Sequence, residues 1–298
     1  MAFERKFDFI EKLNKEELFS KLLLPDIKNG KVFPAVRKNE IHFYYQGGRL
    51  FKYDGNDFFT HIKYAFNSDK DYTDIKESEL KTLKPVDNFV GGYEKIKACC
   101  KVYSAKSEAC NVAKLFKNYS YVISNENKVL LDIEAAMESE SDEKNIDRFD
   151  LVLFDKEKAT LQIAEAKLYC NNEIRAQKGS VPSVVEQIKR YEKNIAKHEK
   201  EIINAYKDYV KIVNKLFTVN ERFTLNLPEP EKINNTVNLL IFYFDDKQGE
   251  KLQKEVNVIK DCLSKKDDNL DHEIYKRGNV GNDRDQTILK KLFSNYTA

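Results

Sequence analysis

The sequence predicts an α/β fold with a mixed central sheet flanked by helices, preceded by an N-terminal α+β region. Three observations carry that prediction. Apolar, strand-like runs at 128–137, 146–155 and 160–169 follow one another with short polar turns between them. A long stretch of helical period then leads to a further apolar run, Val237–Phe244. From about residue 95 the order is therefore α-β-β-β-α-β-α, and helices packed on a mixed sheet would cover all of these apolar faces.

Composition sets the frame. A chain of 298 residues holds one large domain or two modest ones. Apolar residues make up 41% and charged residues 34%, which is globular and charge-rich. The net charge of +2 gives no global footprint for nucleic acid, so any basic surface must be local. The five cysteines, two of them adjacent at Cys99 and Cys100, form neither a disulfide framework nor a zinc spacing. A reduced, cytoplasmic compartment is expected. The opening "MAFERKFDFIEKLNKEELF" is charged throughout and has no signal-peptide core, and no apolar run reaches membrane-spanning length.

The N-terminal region, 1–95, comes first. Phe9, Ile10, Leu13, Leu18 and Leu22 recur at helical spacing and predict one or two helices over 3–23. Two aromatic-rich runs around Gly47-Gly48 predict a hairpin, with a second turn at Asp54-Gly55. Aromatics mixed with Arg49 and Lys52 would suit nucleic-acid contact, but the plainer reading makes the aromatics core and the cations rim. Residues 68–92, broken by Pro85, Gly91 and Gly92, read as a connector. The boundary is placed near residue 95, so that 1–95 is an accessory region binding substrate or a partner and 96–298 is the second domain.

In that second domain, 93–122 has helical period. Strands follow at 128–137, 146–155 and 160–169, joined by the polar "ESESDEKN" and the tight "KEKA". After a loop with Gly179 and Pro182, residues 183–217 read as one long helix or a pair. Proline costs little at such a start. A strand at 237–244 and a helix at 249–263 come next, and the polar tail 266–298 holds a short helix at 285–294.

Three charges stand out against the apolar strands. Side chains alternate faces along a strand. Asp150 then shares a face with Val152 and Phe154, while Glu165 and Lys167 share one with Leu161 and Ile163, roughly 7 Å apart. The short turn lets antiparallel pairing bring Asp150 to them. Charges gathered there must pair with one another or with a metal. A hard divalent cation suits two carboxylates, and a lysine beside it can orient a water for hydrolysis. The competing reading is a cross-strand salt bridge on an exposed sheet face.

The pattern Asp150–x14–Glu165–Ala166–Lys167 on consecutive strands resembles the PD-(D/E)xK nuclease superfamily. On the helix that follows, Gln187-Ile-Lys-Arg-Tyr191 is similar to the QxxxY motif of its RecB-like and lambda-exonuclease-like branch. Other (D/E)xK triplets, such as Glu126–Lys128 and Asp245–Lys247, fall in polar segments. The resemblance covers about residues 100–265 and implies a restriction-endonuclease-like α-β-β-β-α-β core. It also implies a Mg²⁺-dependent phosphodiester hydrolase acting on DNA, RNA remaining open, with Mn²⁺ able to substitute. Asp150 and Glu165 would hold the metal together with the backbone carbonyl of Ala166, and Lys167 would position the attacking water. Gln187 and Tyr191 would support the site and the strand, with Lys189 and Arg190 on phosphates. The additional acidic ligand is Glu134 or Glu108, with Glu134 preferred because a solvated helix face explains Glu108.

Two other readings stand beside this one. One is a non-catalytic nucleic-acid-binding or assembly module that keeps the fold; the other, within enzymes, is a site-specific restriction endonuclease. A role in phage defence or repair would suit a small nuclease. His198, on a charged helix, reads as solvated, and Asp132 as surface. For Gln187 and Tyr191 the plain alternative is a polar helix face with an aromatic packed on the sheet.

Overall fold

The computed structural model describes residues 3–66, 73–80, 87–105, 107–137, 147–176, 180–218, 225–264 and 274–277. The expected turn at 138–145, Pro85, Gly179 and the helix at 285–294 lie outside them.

Helices α1 (Ile10–Lys15) and α2 (Leu24–Lys28) flank a π-helical turn, Leu18–Leu23. Strands β1 (Val32–Val36), β2 (Ile41–Tyr45), β3 (Gly48–Tyr53) and β4 (Phe58–His61) follow, then α3 (Ile62–Phe66), β5 (Asp74–Lys76) and α4 (Glu77–Leu80). Next are α5 (Phe89–Ser104), α6 (Glu108–Ala113), α7 (Phe116–Tyr119), β6 (Lys128–Met137), β7 (Asp147–Asp155) and β8 (Thr160–Leu168). A 3-10 turn at Asn172–Ile174 leads to α8 (Ser183–Thr218), β9 (Lys232–Phe242), α9 (Asp246–Ser264) and β10 (Ile274–Arg277). Among the described residues, no helix is long and apolar enough to cross a membrane.

The chain divides into two compact units. One comprises 4–125 and 204–229, the other 1–3, 126–203 and 230–298. Residue 95, the expected boundary, lies inside α5. The helical stretch 93–122, expected to open the second domain, belongs instead to the first unit. Gly91 and Gly92 do not break the chain. They sit in the first turn of α5, whose N-cap Asn88 accepts the Gly91 N–H through its side chain at 2.6 Å.

The first unit holds an antiparallel sheet in the order β1-β2-β3-β4-β5. Its β2–β3 turn is Gln46-Gly47, with φ of 50° and 91°. Two consecutive positive φ values are what a two-residue hairpin matched to strand twist requires. A Cβ at Gly47 would also come within 2.4 Å of the Cys110 amide nitrogen. Phe33, Phe43, Phe51 and Tyr53 are fully buried, so the hairpin aromatics are core. The cations between them are paired: Arg49 with Asp74 at 2.6 Å, Lys52 with Glu40 at 3.2 Å and Lys76 with Asp57 at 2.9 Å. Carboxylates placed this close compensate the charge that a phosphate backbone would need.

The second unit is an α/β arrangement with a mixed sheet in the order β10-β9-β8-β7-β6. Strands β6, β7 and β8 run as an antiparallel meander, while β8 pairs parallel with β9 and β9 with β10. The expected β-β-β-α-β-α order is present over these residues. The strand expected at 237–244 begins five residues earlier, at Lys232, and ends at Phe242. β10, in the polar tail, had no signal in the sequence. A parallel partner needs a crossover, and α8 and α9 supply the intervening helices. Val184, Val185, Ile188, Tyr191 and Ile195 of α8 are buried at the three-to-four spacing of one helical face. The helix kinks at His198 (φ −118°, ψ 20°), and residues to Ile203 count with this unit. His198 is buried, with Nδ1 3.3 Å from Glu201, which corrects its reading as solvated.

Candidate active site

Strand register gathers the charges. β7 and β8 pair through Leu151–Ala164 and Val152–Ile163, which sets Asp150 level with Glu165 on the same face. β6 and β7 pair through Ile133–Leu151 and Ala135–Phe149, so Glu134 lies opposite Asp150. Glu134 has φ +51° inside its strand, a left-handed conformation that costs an ordinary residue about 1–2 kcal/mol. On the far side, Glu165 and Lys167 are level with Leu239 and Ile241 of β9. The bulge in that ladder is stitched by buried Gln162, which donates to the Ile163 and Thr236 carbonyls at 2.8 and 2.7 Å.

Burial decides against an exposed salt bridge. Glu165 is 1% exposed and Lys167 5%. The Lys167 ammonium lies 2.8 Å from Glu165 Oε1 and 2.6 Å from Glu173 Oε2. The other Glu165 oxygen, Oε2, is buried and receives no hydrogen bond from the described residues. Past the last β7–β8 pair, the Ala166 N–H donates to Asp150 Oδ2 at 2.9 Å. Desolvation pushes the Asp150 carboxyl well above the usual carboxylate range, and the neighbouring Glu165 and Glu134 charges push it further. The Ala166 N–H and the Lys167 ammonium oppose this without reversing it.

The helix contributes a hydrogen-bond relay. The Gln187 amide nitrogen donates to Glu165 Oε1 and to the Tyr191 hydroxyl, each at 2.8 Å. That hydroxyl in turn donates to the Arg148 carbonyl at 2.9 Å. Tyr191 is buried edge-on against Phe149, with ring centroids 5.2 Å apart. It therefore packs on the sheet and also ties α8 to β7, while Gln187 fixes the Glu165 carboxylate. Gln187 thus touches the Glu165 carboxylate directly, and Tyr191 touches it through Gln187.

Arg190, one turn from Gln187, lies over the Tyr191 ring at 5.6 Å. Lys189, expected on phosphates, points elsewhere. Two residues from Gln187 turn the helix by about 200°, and its ammonium reaches the Cys262 carbonyl at the end of α9, 2.9 Å away. Of the two additional acidic candidates, Glu134 is the one in the site. Its charge acts on Asp150, and Arg148 Nε holds its Oε2 at 2.8 Å. Glu108 begins α6 in the other unit. Asp132 is fully buried, its Oδ1 accepting the Ile133 N–H at 2.8 Å, which corrects its reading as surface.

Glu173 and Arg148 escaped the sequence reading. Glu173 carried one usable signal: Asn171, two residues earlier, is an Asx-turn former directly after the strand that bears Lys167. The Asn171 side chain accepts the Glu173 N–H at 2.9 Å.

The donor set suits a hard, largely hydrated cation. Among the described residues, no three His, Cys, Asp or Glu side chains are grouped to hold a metal unaided. A pair of carboxylates is the kind of oxygen-donor set that Mg²⁺ or Mn²⁺ takes while keeping several of its waters. Asp150 and Glu165 are such a pair, and their mutual repulsion is what a cation between them would relieve. Comparisons of the chain with family models, with curated proteins and with solved structures each find no match.

Proposed function

We propose that this chain is a divalent-cation-dependent nuclease that hydrolyses phosphodiester bonds in DNA, built on a restriction-endonuclease-like core. One observation carries the reading. A buried carboxylate, Glu165, is held by a lysine on its own strand and a glutamine on the next helix, level with an Asp150 carboxyl that its charge disfavours as an anion. A fold has little reason to keep two such carboxylates together unless a cation joins them.

Asp150 and Glu165 would hold the cation, with the Ala166 carbonyl and Glu134 beside them. A bound Mg²⁺ or Mn²⁺ would supply Lewis acidity toward the phosphodiester. Lys167 orients the attacking water and balances charge developing on the phosphate. Gln187, anchored by Tyr191, keeps Glu165 aimed at the site. Arg190, on the same helical face, contacts the strand's phosphates. The N-terminal unit, whose hairpin cations are paired with carboxylates, binds a protein partner rather than the DNA strand. A specific observation also favours the non-catalytic reading: Lys167 is already satisfied by two carboxylates.

Cleavage separates the two. Linear and circular DNA, and RNA, are incubated with Mg²⁺, Mn²⁺ or EDTA, comparing wild type with Lys167→Ala and Asp150→Ala. Cation-dependent cutting lost in both variants supports the nuclease, and cutting of linear DNA alone makes it an exonuclease. Binding of nucleic acid without cutting under any condition transfers support to the binding module.

A further inference from the structure

Among the described residues, the strand, the lysine and the relay leave Glu173 near the site without a role. Resting on the nuclease reading above, we propose that Glu173 is a positioning residue: it holds the Lys167 ammonium and so keeps Glu165 available to a divalent cation.

The geometry sets up a competition. The ammonium and a cation both seek the Glu165 carboxylate, and Lys167 Nζ already lies 2.8 Å from Oε1. Glu173 Oε2 is closer still, at 2.6 Å. With an anion on each side, the lysine can stay in place when Glu165 turns its charge to a cation. Without Glu173, the ammonium is left to lean on Glu165, and a cation must displace it.

Glu173 is half-exposed, and an ordinary surface pair of this kind would contribute little. Two features set it apart. Its partner is buried, and the loop that carries it is built. Asn171 caps the Glu173 N–H, Ile174 is fully buried, and Arg175 donates to the Asn171 and Tyr169 carbonyls at 2.7 and 2.6 Å. Arg175 also covers the Tyr169 ring at 4.9 Å. The carboxylate is thus presented from a fixed turn directly after the strand that bears Lys167.

The test is Mn²⁺ binding to the full chain without substrate, read from the free-ion electron paramagnetic resonance signal. Melting in EDTA checks that each variant is folded. Glu173→Gln should raise the Mn²⁺ Kd about tenfold or more, in the range found for partners of metal ligands. Glu173→Asp, which keeps the charge, should recover part of the affinity. In a Lys167→Met background, Glu173→Gln should change nothing, because the competitor is gone. Wild-type affinity in Glu173→Gln would overturn the inference and leave the nuclease reading standing. An equal loss with and without Lys167 would also overturn it, since Glu173 would then act on the cation directly. A wild-type chain that takes up no Mn²⁺ would remove both.

Discussion

Replacing Lys167 with Met removes an ammonium and keeps much of its apolar stem. What it leaves behind is a carboxylate at 1% exposure with Gln187 still donating to Oε1. Breaking one side of a buried ion pair costs about 3–5 kcal/mol, because the remaining charge is uncompensated. The surviving amide bond places this case at the lower end, about 3 kcal/mol. Glu173, half-exposed, regains water and adds little. In a urea titration in EDTA, with a slope of about 3 kcal/mol/M, the midpoint falls by about 1 M. Circular dichroism and tyrosine fluorescence should give coincident transitions for the fit to hold. Adding Glu165→Gln to Lys167→Met should restore most of the loss, since a pair replaced on both sides is close to neutral. Adding Mn²⁺ should shrink the single variant's deficit, because the cation takes the ammonium's place. A loss under about 1 kcal/mol, or a double variant whose cost is the sum of its singles, would refute the reasoning. Either would mean that water, and not the lysine, neutralises Glu165.

Other perturbations read other parts of the site. Tyr191→Phe removes the donor to the Arg148 carbonyl and the acceptor for Gln187, so stability should drop by about 1–2 kcal/mol. Cation affinity should fall with it; calorimetry showing unchanged affinity would detach the relay from the site. Asp150 is raised by burial and then by Glu165, so folding favours its protonated form. Its stabilising contribution is full below the ordinary carboxylate range and is lost as pH rises through the raised value. Asp150→Asn in EDTA should therefore melt higher than wild type at neutral pH and lose any cation-induced shift, and a lower melting temperature would contradict this. In the N-terminal unit, desolvation pulls His42 down to about 4, the Glu40 hydrogen bond opposing, while Glu40 falls to about 2 through its bond to His42. Stability from a lowered histidine is full above its ordinary value of about 6.5 and lost as pH falls through about 4. His42→Gln should flatten the melting curve over that window, and a slope parallel to wild type would exonerate His42.

The parts of the fold legible in the sequence are those that local period controls. Strands β6 to β8 are apolar runs that stand out in the sequence, and the tight turn at 156–159 fixes the register of β7 against β8 with little tertiary information. Asp150, Glu165 and Lys167 were found because they violate an apolar pattern, and the Gln187–Tyr191 spacing placed both on one face of α8. Lys189 lies off that face by the same rule, since a two-residue step turns the helix by about 200°. The division of the chain was not legible, because period says that 93–122 is helical and nothing about which sheet covers it. Gly91-Gly92 looked like a break because glycine is a poor helix former, yet the Asn88 cap starts the helix there. Glu173 had only the Asx-turn signal of Asn171 to mark it, because one carboxylate in a polar loop looks like any other until the ammonium it meets is known.

The most direct test is where a cation goes. Crystals of the wild-type chain soaked in Mn²⁺ and measured near its absorption edge should show an anomalous peak between the Asp150 and Glu165 carboxylates. In Asp150→Asn crystals the peak should vanish. A peak elsewhere, or none at a concentration that supports cleavage, would contradict the claim that these two carboxylates are together to hold a metal.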